Sequence, residues 1–204
     1  DTDIYINNVH KEKNEFVCSG TPVDCVKLAV NKILPKLPDL CVSGINHGSN
    51  HSINALYSGT LHAAIEGTIQ GIPSISFSHL SYSEKTKLIP FKDIIQQISL
   101  KVLQNNIPKG ITLNVNFPDI PFNKIKGIKI CTQGDGIWKE DFKITKKENK
   151  KTHYLISGRF EYDKKNIHTD SWALENAFVS IVPINKNCTA ELEFNVLKYL
   201  EYDF

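Results

Sequence analysis

Between residues 39 and 116, short apolar runs alternate with stretches of helical periodicity, and no other feature of the chain restricts its fold as much. The runs at 39–42, 74–78 and 111–116 have the length and composition of strands. The segments 59–70 and 90–104 have helical patterning, the second with Ile94, Ile95, Ile98, Val102 and Leu103 along one apolar face. A strand over 15–18 and a helix over 22–34 precede them. Pro22 suits a first helical turn, and Asp24 suits the positive end of the helix dipole. Strands that alternate with helices build βαβ units, so the expected class is α/β with a mostly parallel sheet.

After Pro118 the pattern changes. Strands are expected over 125–131, 154–157 and 178–183, with no long helix between them, and the lysine-rich stretch 143–151 has the character of an exposed hairpin or arm. The chain thus divides into an α/β core over 1–118 and a β-rich, antiparallel extension over 119–204 of the kind that joins protomers. A helix is expected over 190–200. The net charge of +2, with Arg159 the only arginine among 24 basic residues, argues against nucleic acid as a partner. No apolar run is long enough to span a bilayer, so no membrane partner is expected. Five cysteines without metal-type spacing fit a reducing, cytoplasmic setting.

The chemistry concentrates in Ser43-Gly44-Ile45-Asn46-His47-Gly48-Ser49-Asn50 and Tyr57-Ser58-Gly59-Thr60, between an expected strand and an expected helix. That is where open α/β sheets hold ligands, beyond the carboxyl ends of the strands. The Asn46 oxygen can ligate a hard cation such as Mg²⁺ or Mn²⁺, and Ser58, Gly59 and Thr60 can receive a phosphate at a helix start. Each residue also has an ordinary structural use, Asn46 in a turn and Ser58 as an N-cap. No P-loop lysine and no G-x-G-x-x-G are present, which excludes Walker-type and dinucleotide sites. Cys25 lacks a local group, other than a helix terminus, that would activate it as a nucleophile. His47, His51 and His62 surround the loop in a spacing unlike a zinc signature, which leaves proton transfer or a structural role open.

These segments, with Cys18-Ser19-Gly20-Thr21-Pro22-Val23-Asp24-Cys25, Leu113-Asn114-Val115-Asn116-Phe117-Pro118 and Thr169-Asp170-Ser171-Trp172-Ala173-Leu174, resemble the SurE family of 5′/3′-nucleotidases across nearly the whole chain. The resemblance implies a Rossmann-like, three-layer α/β core with a C-terminal antiparallel β extension used in oligomerisation. It implies a divalent-metal-dependent phosphomonoesterase acting on nucleoside monophosphates, assembled as a homodimer or homotetramer. It maps the metal-binding asparagine onto Asn46 and the phosphate site onto Ser58, Gly59 and Thr60, with Asn50 as a substrate-binding neighbour on the same loop.

Two departures accompany it. The family's opening strand ends in N-D-D-G, whose aspartates bind the metal, and this motif is not found here. The chain starts Asp1-Thr2-Asp3 and has no methionine, so we expect a truncated chain whose catalytic aspartates lie upstream of Asp1. Asn187-Cys188-Thr189-Ala190 stands where the family carries a D-L-T-A-H run. The competing expectation is a non-catalytic oligomeric scaffold or an inactive fragment that lacks the metal-binding aspartates.

Overall fold

The structure, a computed structural model, describes residues 3–149, 151–190 and 194–201. It opens with an antiparallel pair, β1 (Ile6–His10) and β2 (Glu15–Cys18), followed by α1 (Pro22–Leu28). Next come β3 (Cys41–His47), a 3₁₀ turn at Ser52–Tyr57, α2 (Gly59–Ile69), β4 (Ser74–His79), α3 (Lys92–Asn105) and β5 (Ile111–Phe117). The remainder supplies β6 (Gly127–Ile130), β7 (Ile137–Glu148), β8 (Lys151–Glu161), α4 (Asp170–Glu175), β9 (Phe178–Asn185) and a 3₁₀ segment at Phe194–Leu200.

One five-stranded sheet, ordered β3-β4-β5-β9-β6, organises these elements. Strands β3, β4 and β5 are mutually parallel; β9 runs antiparallel to β5, and β6 is parallel to β9. The expected α/β class with a mostly parallel sheet is what is found. The residues beyond Pro118 complete this sheet through β6 and β9, while β7 and β8 form a separate hairpin exposed along nearly its whole length.

Alternation along the strands gives the sheet two unlike faces. Ile75, Phe77, Val115, Phe117, Val179 and Ile181 point to one side and pack with Phe91, Ile98 and Val102 from the α3 segment. The other side carries Ser74, Ser76 and Ser78 on β4, Thr112, Asn114 and Asn116 on β5, and Ser180 on β9, all buried. Register places Ser76 beside Asn114, and Asn116 beside both Ser78 and Ser180, so these groups form rows across the sheet. Helix α2 contacts this region of the sheet, and Thr68 on it hydrogen-bonds Thr112 at 2.6 Å between hydroxyl oxygens.

Several sequence expectations need correction. Strand β3 was expected to end at Val42, before a polar loop; it continues through Asn46 to His47. A bulge between Ser43 and Asn46 lets it do so, with Gly44 at φ +104 and the Gly44–Ile45 peptide cis. A Cβ on Gly44 would run into the Phe77 carbonyl oxygen, so the bulge needs glycine for space as well as for φ. Nor is β3 buried like a central strand. It forms an edge of the sheet among the described residues, and Val42 is 47% exposed. Helix α1 ends at Leu28, where a wider π turn over Ala29–Ile33 replaces the expected continuation. Leu103, assigned to the apolar face of α3, is 43% exposed because Ile98 and Val102 fill the sheet contact. The helix expected over 190–200 is a 3₁₀ segment from Phe194, and residues 191–193 lie outside the described residues. Among the described residues, no helix is long and apolar enough to cross a membrane.

Candidate functional site

The carboxyl ends of β3, β4 and β5 gather the polar segment 46–60 above the hydroxyl and amide side of the sheet. Asn46 ends the bulge of β3, and its Nδ2 donates to the Gly48 carbonyl at 2.9 Å. That bond ties down the NH₂ and leaves the carboxamide oxygen without a hydrogen bond among the described residues. Gly48 N–H donates to both the His79 and Ser81 carbonyls, anchoring the loop to the end of β4.

Asn50 faces inward. It is 6% exposed; its N–H donates to Asn116 Oδ1 at 2.9 Å, and its Nδ2 donates to Ser78 Oγ at 2.6 Å. Its carbonyl accepts from Asn114 Nδ2 at 2.8 Å. Three buried side chains of the sheet thus grip one residue of the loop. Asn116 Nδ2 also reaches Asn114 Oδ1 at 3.3 Å, so the grip is a connected network.

A second anchor lies two residues further on. Ser52 adopts φ +52, and its N–H donates to Asp170 Oδ2 at 2.8 Å. Asp170 is fully buried at the start of α4, and its Oδ1 accepts from Gly134 N–H at 3.0 Å and Ser171 N–H at 2.7 Å. Ser52 Oγ donates to the Gly134 carbonyl and accepts from Gly136 N–H. One buried carboxylate and one hydroxyl thereby join the site loop, α4 and the base of the β7–β8 hairpin. Beside them His51 contacts Ser49 Oγ through Nδ1 and the Phe160 ring edge-on. Burial pulls its imidazole below the ordinary histidine value, and the nearby Asp170 charge offsets that only in part.

Helix α2 starts at the end of this loop. Ser58 is its N-cap, accepting from Leu61 N–H at 2.9 Å. The N–H groups of Gly59 and Thr60 have no partner among the described residues, as the first turn of a helix requires. Gly59 also lies against α1: a Cβ there would stand 3.3 Å from Pro22 Cγ. The first turn of α1 is closed by reciprocal bonds between Thr21 and Asp24, and the Thr21 bonds hold the Asp24 carboxyl below its ordinary value. Cys25, by contrast, has its thiol pushed up, first by desolvation and then by the neighbouring Cys18, which works against its use as a nucleophile.

Among the described residues, no cluster of three or more His, Cys, Asp or Glu side chains could hold a metal ion. Asn46 offers one neutral oxygen, and Asp170 spends both carboxylate oxygens on backbone donors. The described residues therefore do not complete a cation site by themselves.

The family model for "Survival protein SurE" matches residues 2–140. The chain belongs to the SurE family. Proteins named "5′-nucleotidase SurE" resemble it closely. The one from Flavobacterium psychrophilum is 48% identical over 190 residues, covering 92% of this chain and 74% of that protein. The one from Bacteroides thetaiotaomicron is 40% identical, covering 86% of this chain and 67% of that protein. The crystal structure of the SurE protein from Aquifex aeolicus superposes with a TM-score of 0.84 at 35% identity, covering 98% of this chain and 81% of that one.

The structure brings Asn46, Asn50, Ser58, Gly59 and Thr60 of this SurE-family chain to one end of the sheet. Sequence reasoning missed Ser78, Asn114, Asn116, Ser52 and Asp170 as parts of the site. Asn114, Asn116 and Asp170 stood within segments that resemble the family, but nothing local marked their side chains as inward-pointing. The period-2 pattern of Thr112-Leu113-Asn114-Val115-Asn116 was the available signal.

Proposed function

We propose that this chain is a divalent-metal-dependent 5′-nucleotidase that hydrolyses nucleoside 5′-monophosphates, and 3′-monophosphates as well, to nucleoside and phosphate. The observation that carries the proposal is the free N–H pair of Gly59 and Thr60 at the start of α2, on the same end of the sheet as the Asn46 oxygen. The N–H pair and the Thr60 hydroxyl receive the phosphoryl oxygens, and the helix dipole offsets their charge. Ser58 sets the first turn in place, and the network under Asn50 keeps the loop from moving when the anion binds. Asn50 thus contributes to substrate binding through the loop it fixes, since its NH₂ is committed to Ser78.

Mg²⁺ or Mn²⁺ belongs to this proposal, with Asn46 as one ligand. Phosphate release from a nucleoside 5′-monophosphate by the full chain, with Mn²⁺ and with chelator, tests it. Asn46→Ala should remove most of the Mn²⁺-dependent rate. Turnover that ignores both the substitution and the chelator would refute the role of Asn46 and the metal together.

We further propose assembly as a homodimer or homotetramer through the β7–β8 hairpin, in a reducing cytoplasm suited to five free cysteines. The support is the exposure of Phe142, Ile144, Tyr154 and Leu155 along that hairpin. The same exposure, with no acidic metal cluster among the described residues, favours a non-catalytic scaffold as the second reading. Multi-angle light scattering alongside the phosphatase assay separates the two, because a scaffold would associate without turnover.

A further inference from the structure

Directly before Ser58, the 3₁₀ turn Ser52–Tyr57 and the base of the hairpin border an open cleft of about 670 Å³. Its walls are the aromatic rings of Tyr57 and Trp138 and the aliphatic side chains of Ile53, Ile137 and Ile156, with Glu140 as a charged group among them. A volume in this range, apolar walls and few polar groups are the usual features of a small-molecule site. One wall is fixed in advance: Trp138 Nε1–H donates to Asn54 Oδ1 at 2.8 Å, and its ring leans on Phe160 at 5.5 Å between centroids. Tyr57 is 81% exposed, so its ring is available as a stacking surface. Opposite Glu140 in the hairpin stands Gly158, which has no side chain to fill the space.

We propose that this cleft is the subsite for the nucleoside half of the substrate, with the base stacked on Tyr57 and Trp138. The inference rests on the nucleotidase reading above and adds the residues that recognise the base. Tyr57 directly precedes the N-cap Ser58 in the chain, which sets one wall of the cleft next to the first turn of α2. A nucleobase has the two properties the walls select, a flat apolar face and polar edges. Glu140 is a pure acceptor when ionised, so it favours bases that present an exocyclic amino group over uracil.

The test compares two phosphomonoesters on the full chain: adenosine 5′-monophosphate and glycerol phosphate, which has no base. Tyr57→Ala should lower the ratio of kcat/KM for the nucleotide to that for glycerol phosphate by about tenfold, mostly through nucleotide KM. Glu140→Gln should shrink the preference for adenosine over uridine monophosphate. An unchanged ratio in Tyr57→Ala, or a change only in oligomeric state, would overturn the proposal and make the cleft a contact between copies. If the unmodified protein hydrolyses neither ester, the nucleotidase reading fails on its own. The cleft is then judged by adenosine quenching of Trp138 fluorescence in a Trp172→Phe background, where absence of quenching refutes it.

Discussion

The two faces of the central sheet are built on opposite principles although the same strands make both. Toward α3, Ile75, Phe77, Val115 and Phe117 form an apolar layer whose attraction is non-directional and tolerant of small shifts. On the other side, Ser76, Ser78, Asn114 and Asn116 are as deeply buried, but their value depends on each donor meeting its acceptor. A buried polar group without its partner costs about 1–3 kcal/mol, whereas an apolar side chain that moves slightly loses far less. The polar face therefore contributes little to net stability and much to the placement of Asn50 and the loop around it. Stability and positioning are thus divided between the two sides of β4 and β5.

The largest expected effect that could break this division comes from the apolar side. Phe77→Ala should cost about 3–5 kcal/mol, measured by denaturant unfolding, through the cavity it opens beside Phe91 and Phe117. The molecules that remain folded should keep their KM for a nucleotide, and a raised KM would show that the apolar face also positions the site. Asn114→Leu is the converse change. It strands the Asn50 carbonyl and Asn116 Nδ2, at about 1–3 kcal/mol of stability, while nucleotide turnover should fall at least tenfold. A variant with wild-type turnover would reduce the network to scaffolding.

The smallest effect is a pH dependence at the edge of the polar face. Burial keeps His51 neutral below the ordinary imidazole value of 6.5, with Asp170 opposing. The unfolded chain then binds more protons than the folded one, so stability is complete above about pH 6.5 and declines as pH falls toward the lowered value. Melting temperatures of the protein and of His51→Gln, followed through that window, should diverge in slope. Parallel slopes would mean that the histidine carries no such linkage.

Much of the scaffold was legible in the sequence because β4 and β5 follow a clean period of 2 and α3 one of 3.6. The alternation in Thr112-Leu113-Asn114-Val115-Asn116-Phe117 was visible, but polar residues at alternate positions normally mark a solvent face. Only the placement of α2 and the site loop over that face makes those positions interior, and this is a tertiary fact with no local signature. The continuation of β3 through Asn46 was hidden for a related reason. Gly44, Asn46 and Gly48 are turn formers by local preference, and the pairing of Asn46 with Ser78 and of His47 with His79 overrides it. The antiparallel entry of β9 beside β5 joins residues far apart in the chain. Asp170 was likewise beyond reach, since its partners Ser52 and Gly134 lie 118 and 36 residues away.

The paired faces also decide how β4 and β5 can align at all. Their parallel pairing runs from Ser74 beside Thr112 to His79 beside Phe117. A slip of one residue would turn every side chain of the moving strand to the opposite side. Asn114 and Asn116 would enter the ring of Phe77 and Phe91, while Leu113 and Val115 would face Ser76, Ser78 and Thr68. Misalignment is thus penalised twice over, once as stranded amides in an apolar layer and once as stranded hydroxyls in a polar one. The hydroxyl and amide rows therefore favour the single alignment in which Ser78, Asn114 and Asn116 can hold Asn50 above the sheet.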